Sequence, residues 1–132
     1  AWLSAPAHAK AKVEIVSIAV EADSEALKKR ARTLVRNKAV ASLKHLKFGA
    51  GGKVQLSLRV TKLTIARESE GLMRVTCTLV GRLKGGGSAR SNLSVAGKPE
   101  RQRKLLALVL GSTTDGVMTR LAALAREREA AA

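Results

Sequence analysis

The sequence predicts an α+β fold, a two-layer sandwich of β-α-β-β-β-α order in which two helices pack on a mostly antiparallel four-stranded sheet. Apolar and polar residues alternate over 54–60 and 73–79, as in strands with one buried face. Residues 25–47 and 100–128 instead carry apolar side chains at helical spacing. A hydrophobic content of 45% in 132 residues is enough for one aliphatic core.

The first strand and helix are predicted from residues 12–47. Residues 12–21 are rich in β-branched side chains, with apolar residues in both phases. This pattern predicts a strand that is either covered on two sides or contains a bulge. Asp23 or Ser24 is expected to cap the helix that follows, which should end near Lys47, before the glycine-rich segment 49–52.

The next three strands are predicted to form an antiparallel meander, since only short turns separate them. Strict alternation over 54–60 changes phase after residues 61–62, which predicts a bulge there. In the strand beginning at Met73, Cys77 lies in the apolar phase together with Val75 and Leu79. The remaining expectations are a turn at 68–71, a flexible loop at 85–88 and a weaker edge strand at 89–95.

The last helix is predicted from Glu100 to about Arg128, with Pro99 at its start, where proline is tolerated. Gly111 and Gly116 each weaken its middle by about 1 kcal/mol relative to alanine. Either one long bent helix or two helices that meet near 112–115 would satisfy the pattern.

Residues 1–9 differ in composition from the rest of the chain. They are small, apolar and uncharged, and Ala7, His8 and Ala9 fit the A-x-A cleavage pattern of a secretory signal peptide. We therefore predict an exported protein with a single domain at 10–132; the alternative is that 1–9 form a flexible arm. Cys77 has no internal disulfide partner, and no run of 18 apolar residues is present to span a membrane.

Charge is the strongest functional signal in this chain. Twenty-five Lys and Arg face ten Asp and Glu, a formal net charge of +15, which predicts a polyanionic partner. One Phe, one Trp and no Tyr argue against readers of single strands, which stack bases on aromatic rings. The predicted partner is an anionic polymer (polysaccharide, lipopolysaccharide or nucleic acid) bound through its charged groups without base readout.

The candidate contacts come from the first helix and from the start of the last one. They are Lys28, Lys29, Arg32, Arg36, Arg101, Arg103 and Lys104. Four arginines occupy polar phases of strands and are expected to line an open sheet face: Arg59, Arg74, Arg82 and Arg90. The alternative explanation for all these charges is a surface that only keeps the protein soluble.

Catalysis finds little support in the sequence. His8 and His45 lie far apart, and a histidine near a helix C-terminus usually interacts only with the helix dipole. Cys77 is expected to be a buried structural thiol, and no residues have the spacing of metal ligands. The glycine segments at 49–52 and 85–87 match no phosphate-binding motif. We therefore expect a protein that is not an enzyme and needs no cofactor or metal.

The order of elements over residues 12–128 resembles small periplasmic α/β domains of Gram-negative envelopes, in particular the lipopolysaccharide-assembly lipoproteins that plug the outer-membrane translocon. The resemblance implies a periplasmic or extracellular location and carries over no individual residue. Double-stranded-RNA-binding domains also run helix, three strands, helix, but the first strand here is extra and their basic helix-start motif is absent.

Three functions remain open at this point. The first is an exported, non-enzymatic envelope or extracellular protein that binds anionic polymer. The second is a cytoplasmic nucleic-acid-binding module without sequence preference. The third is a self-assembling structural subunit, a homo-oligomer in which the apolar arm and the weak edge strand pair with neighbouring copies.

Overall fold

The computed structural model describes residues 11–132 and shows the predicted α+β architecture in the predicted order. The predicted arm at 1–9 lies outside the described residues. The elements are β1 (Lys12–Val20), α1 (Glu25–Leu43), β2 (Lys53–Ser69), β3 (Leu72–Leu83), β4 (Ser88–Gly97), a 3-10 turn (Pro99–Arg101) and α2 (Gln102–Ala131).

The four strands form one sheet in the order β1-β2-β3-β4. β2, β3 and β4 are joined by tight turns and pair antiparallel, so the predicted meander and the edge position of β4 are confirmed. β1 pairs parallel to β2, because α1 carries the chain back across the sheet between them. The turn between β2 and β3 is shorter than predicted, since β2 runs on to Ser69.

Two of the three register shifts in the sheet lie where the alternation changes phase, and the third, at Glu68, lies next to the turn between β2 and β3. The register between β1 and β2 skips Val16, and the register between β2 and β3 skips Thr61. Each extra residue reverses which phase of the strand faces the helices. This explains why β1 carries apolar residues in both phases, and it confirms the bulge predicted at residues 61–62.

The core lies between one face of the sheet and α2, with α1 packed against α2 and β1. The core positions expected from the alternation are confirmed, since Leu56, Leu58, Val75 and Leu79 are all buried. Because both helices cover the same face, the opposite face of the sheet is open. That face carries the polar phases of the strands.

α1 ends at Leu43, four residues before the predicted end near Lys47. The N–H groups of Lys44 and His45 donate to carbonyls three residues back, at 3.2 Å each, so the helix tightens and stops. The chain then turns inward to bury Phe48 against the core. Burial of that ring therefore ends the helix earlier than the periodicity alone indicates.

α2 is one continuous helix, which decides between the two alternatives left open by the sequence. It begins at Gln102 rather than Glu100, because a 3-10 turn over Pro99–Arg101 precedes it. Buried Val109 and Leu110 lie before the weak glycine-containing segment, and Val117 and Met118 lie after it. Packing on the sheet at both sides holds the helix together through that segment.

Candidate functional site

The basic residues predicted on the first helix lie along one side of α1. Ser24 caps the helix, as predicted, by accepting a hydrogen bond from the Leu27 N–H at 3.1 Å. Lys29, Arg32 and Arg36 follow at spacings of three and four residues, so they form a stripe, and all three are exposed. Lys28 is half-buried and forms an ion pair with Glu25 at 3.2 Å, so part of its charge is already compensated.

The second predicted group surrounds the start of α2. Arg101 closes the 3-10 turn, Arg103 and Lys104 belong to the first helical turn, and all three are exposed. A helix N-terminus favours negative charge, so cations there lose about 0.3–1 kcal/mol each relative to a favourable placement. Helix stability alone would therefore not select lysine or arginine at these positions.

The two groups lie on helices that run in the same direction. Ser42, near the end of α1, donates to Asp115 in the middle of α2 at 3.4 Å. Further along the chain, the Lys47 carbonyl accepts from Arg126, and the Ala50 N–H donates to Glu129 at 2.9 Å. Later residues of α1 and of the loop after it therefore contact later residues of α2, so the two helices run in the same direction. We call the stripe and the start of α2 together the helix-end surface, whose two parts are Lys29, Arg32 and Arg36 on α1 and Arg101, Arg103 and Lys104 at α2; Arg36 also borders the groove beside β1.

Acidic residues compensate few of the cations. Within residues 11–132 there are four ion pairs, and their cations are Lys28, Lys53, Arg59 and Arg74. None of the six residues of the helix-end surface has an acidic partner in this part of the chain. Their charges therefore stay available to an external anion.

The arginines predicted on the open face divide into two kinds. Arg59 donates to Glu21, with distances of 3.2 and 2.5 Å, and Arg74 pairs with Glu68 at 3.0 Å. The side chains of Arg82 and Arg90 are exposed and make no hydrogen bond or ion pair to any other described residue. Arg82 borders a groove of about 410 Å³ that is lined by residues of β1, β2 and β3.

Glu14 lies at the β1 edge of the same face. The Gln55 amide donates to its carboxylate at 3.1 Å, and Lys53 lies 3.3 Å from it. These two contacts, with a smaller contribution from the charge of Lys84, hold the pKa of Glu14 below its usual range. Glu14 therefore stays charged, and the Lys53 ammonium group already has Glu14 as its anionic partner.

The side chains that could take part in catalysis are placed unfavourably for that role. Cys77 is fully buried, with its Sγ 3.6 Å from the Thr113 hydroxyl, and burial raises the pKa of the thiol. His45 is exposed just beyond the end of α1. Over the described ranges, no group of three or more His, Cys, Asp or Glu side chains is arranged to hold a metal ion.

The glycine segment at 49–52 has an anion partner within the chain, which the sequence analysis did not foresee. The Glu129 carboxylate accepts from the Ala50 N–H at 2.9 and 3.2 Å, and from the Gly51 N–H at 3.5 Å. Gly49 has a φ of 137°, and a Cβ there would lie 2.5 Å from the Glu129 Oε2. The two partners are 79 residues apart in sequence, so no local pattern could have found the contact.

Neither described helix has an apolar stretch of the length that a membrane crossing needs. The sequence matches no protein-family model and no curated protein.

Solved structures share the arrangement of helices and strands. A minor lipoprotein from Acinetobacter baumannii aligns with a TM-score of 0.52 and 11% identity, over 90% of this chain and 95% of that chain. The PelC dodecamer from Paraburkholderia phytofirmans aligns with a TM-score of 0.49 and 20% identity, over 90% of this chain and 95% of that chain. At such identities the first similarity shows a shared fold, and the resemblance to lipopolysaccharide-assembly lipoproteins stays a prediction.

Proposed function

We propose that this protein is an exported, non-enzymatic envelope or extracellular protein that binds an anionic polymer through the helix-end surface. One observation carries the proposal. Six exposed cations lie along one side of α1 and at the start of α2, and none has an acidic partner among residues 11–132. A surface that served solubility alone would not need its uncompensated charges at the start of α2, where the helix disfavours them.

The chemistry of this surface fits repeated anionic groups rather than one small ligand. Its contacts are lysine and arginine side chains, which bind phosphate, sulfate or carboxylate groups as charges. Such binding releases counterions from the polymer and is therefore steeply salt-dependent and independent of sequence. The anionic polymer is a polysaccharide, lipopolysaccharide or nucleic acid, as the composition predicts.

Two features support an exported location within this proposal. The signal-like segment at 1–9 ends in an A-x-A pattern. The fold is also one on which a bacterial lipoprotein is built, as the Acinetobacter baumannii protein shows. On these grounds we favour the envelope or the extracellular space over the cytoplasmic nucleic-acid-binding alternative.

The proposal includes no catalytic step. Cys77 is enclosed by the core with its pKa raised, so the reactive thiolate is disfavoured. His45 stands alone at the end of α1. Binding is therefore the activity to be measured.

The test replaces Lys29, Arg32 and Arg36 by Gln together and measures affinity for duplex DNA and for heparin over a salt series. Wild-type affinity should fall by about 10³–10⁵ between about 50 and 200 mM salt if roughly six to ten anionic groups are contacted. Loss of three contacts should reduce the slope of log K against log salt on DNA by about 2.7. Lys28 is left in place because it pairs with Glu25.

The matched control replaces Lys62, Arg90 and Arg120 by Gln, which removes the same charge from exposed residues outside the helix-end surface. Its slope should stay close to that of the wild type. If both triple variants flatten the slope equally, only net charge matters and the helix-end surface is not the site. If the wild type binds no polyanion even at low salt, the proposal is wrong.

Self-assembly is a second candidate, and one observation favours it. Val16 in β1 and Val40 in α1 are 59% and 48% exposed and line a common groove along the edge of the sheet. An exposed strand edge with apolar side chains can pair with a second copy of the chain.

A further inference from the structure

A groove crosses the open face of the sheet between β1, β2 and β3. Its volume is about 410 Å³, and its lining includes Ser17, Ala19, Ser57, Arg59, Thr61, Val80 and Arg82. A second hollow of about 400 Å³ adjoins it, because the two share Ser17, Ser57 and Arg82. The second hollow continues the groove toward Gln55 and Lys84.

Local backbone geometry produces the groove. Two of the three residues skipped by the strand register, Val16 and Thr61, each line one of the two hollows. Bulges bend and twist a strand and change the direction of its side chains. Cross-strand pairing places Ser17, Ser57 and Arg82 in one row and Ala19, Arg59 and Val80 in the next. The groove therefore has a floor of short serines beside Arg82, and Arg59 rises from its middle strand.

Two cations of the groove make no ion pair within the described chain. The guanidinium of Arg82 is exposed and has no hydrogen-bond or ion-pair partner there, and the ammonium group of Lys84 has none either, although its charge helps to lower the pKa of Glu14. Arg59 is the exception, since its guanidinium holds Glu21. That pair shows that a carboxylate can be held beside this groove by an arginine.

We propose that this groove binds a carboxylate-bearing polysaccharide, a uronate chain, which names a ligand class for the proposed polyanion-binding function and rests on it. The guanidinium of Arg82 can accept a uronate carboxylate in the two-bond geometry that arginine favours. Ser17 and Ser57 offer donors and acceptors that match sugar hydroxyls. Ala19 and Val80, on either side of Arg59, add apolar surface for the C–H face of a sugar ring.

The groove fits a uronate chain better than nucleic acid. Two adjoining hollows of about 400 Å³ have the size of small-ligand sites, which accommodate a few sugar rings in single file. A nucleic-acid duplex is too wide to enter and would touch only the rim. No aromatic side chain lines either hollow, so unpaired bases have no stacking partner.

The experiment titrates a short oligogalacturonate into full-length protein at low salt and follows backbone amide shifts and binding heat. The amides of Ser17, Ser57 and Val80 should shift. Arg82→Gln should weaken oligogalacturonate binding by about tenfold or more, as expected for a lost charged hydrogen-bond pair. Its affinity for duplex DNA should stay within about twofold, because the helix-end surface is unchanged.

Arg120→Gln is the matched control, since Arg120 is exposed on α2 and makes no ion pair among residues 11–132. It should leave oligogalacturonate binding unchanged. If the melting temperature shows that Arg82→Gln does not fold normally, Lys84→Gln takes its place with the same expected direction.

Failure of this inference and failure of the proposed function give different results. If the wild type binds DNA or heparin but not oligogalacturonate, or if Arg82→Gln binds oligogalacturonate as well as the wild type does, the groove proposal is wrong and the proposed function stands. If amide shifts appear only on α1 and α2, the uronate uses the helix-end surface and the groove is again excluded. If no polyanion binds, both are wrong.

Discussion

Gly81 in β3 shows how a single residue sets the spacing between the sheet and α2. It is buried, and a Cβ built there would lie 2.5 Å from the Val117 Cγ1 and 2.7 Å from the Leu121 Cδ1. Real Cβ atoms do not approach other carbons so closely, so any side chain would push α2 away from the sheet. The missing side chain is therefore what allows the helix to pack against β3.

We predict that Gly81→Ala lowers the free energy of unfolding by about 1–3 kcal/mol, the usual cost of an overpacked core. Urea denaturation followed by circular dichroism measures the change. The matched control is Gly111→Ala in α2, where an added Cβ has no atom within 4 Å. The same chemical change there should stabilise the protein by about 1 kcal/mol, since alanine favours a helix interior. Equal effects of the two substitutions would contradict the close packing at Gly81.

At the scale of elements, β1 combines a position at the edge of the sheet with a bulge. It lies at the edge of the sheet, and beside it runs a groove of about 470 Å³ that reaches Val40 and Arg36 on α1. The bulge at Val16 leaves that side chain 59% exposed and unpaired with β2. A bulge and a nearby charge are also the usual means by which proteins protect a strand edge from pairing.

If the protein self-assembles through this edge, Val16→Lys should shift it to the monomer, because a charge in a paired strand interface is costly to bury. Sedimentation velocity over a concentration series measures the change in mass. The control is Leu108→Lys on α2, whose side chain is 53% exposed and lies away from β1. It should leave the mass unchanged. A monomeric wild type at all concentrations would exclude the self-assembly candidate.

For the whole molecule, the arrangement of charge matters more than its total. The helix-end surface and the groove lie on different sides, because α1 and α2 cover one face of the sheet and the groove opens on the other. Arg126 and Arg128 are also basic, yet they donate to backbone carbonyls of Lys47 and Lys84 and hold loops in place. Part of the positive charge is therefore structural, and two separate surfaces each present part of the remainder.

Export is a property of the whole molecule, and we predict that the native protein begins at Lys10. Cleavage after Ala9 follows from the A-x-A pattern of the preceding residues. N-terminal sequencing of protein purified from its own cell envelope measures the start. Protein purified from the cytoplasmic fraction serves as the reference for an unprocessed chain. A native chain that retains Ala1 in both fractions would contradict export by this signal and favour the cytoplasmic alternative.

Much of the architecture could be predicted because it depends on local patterns. The alternation around Leu56 and Leu58 identifies a strand with one buried face, and the change of phase at Thr61 identifies the bulge. The capping role of Ser24 was also predictable, since the hydrogen bond spans three residues. The candidate cations could be identified from the sequence as lysines and arginines. Their freedom from acidic partners could not be predicted, since pairs such as Arg59 with Glu21 join residues 38 positions apart.

The sequence by itself determined the fold class, the order of the elements, the main core positions and the excess of positive charge, because each depends on composition or on periodicity within a single element. The tertiary structure alone decided that β1 pairs parallel to β2, that α2 is continuous through Gly116, and that the two helices with candidate cations run in the same direction. It also decided that the Glu129 carboxylate accepts a hydrogen bond from the glycine segment at 49–52 and that Arg82 borders a groove. These features depend on contacts between residues far apart in the chain, which form only when the helices pack on the twisted sheet.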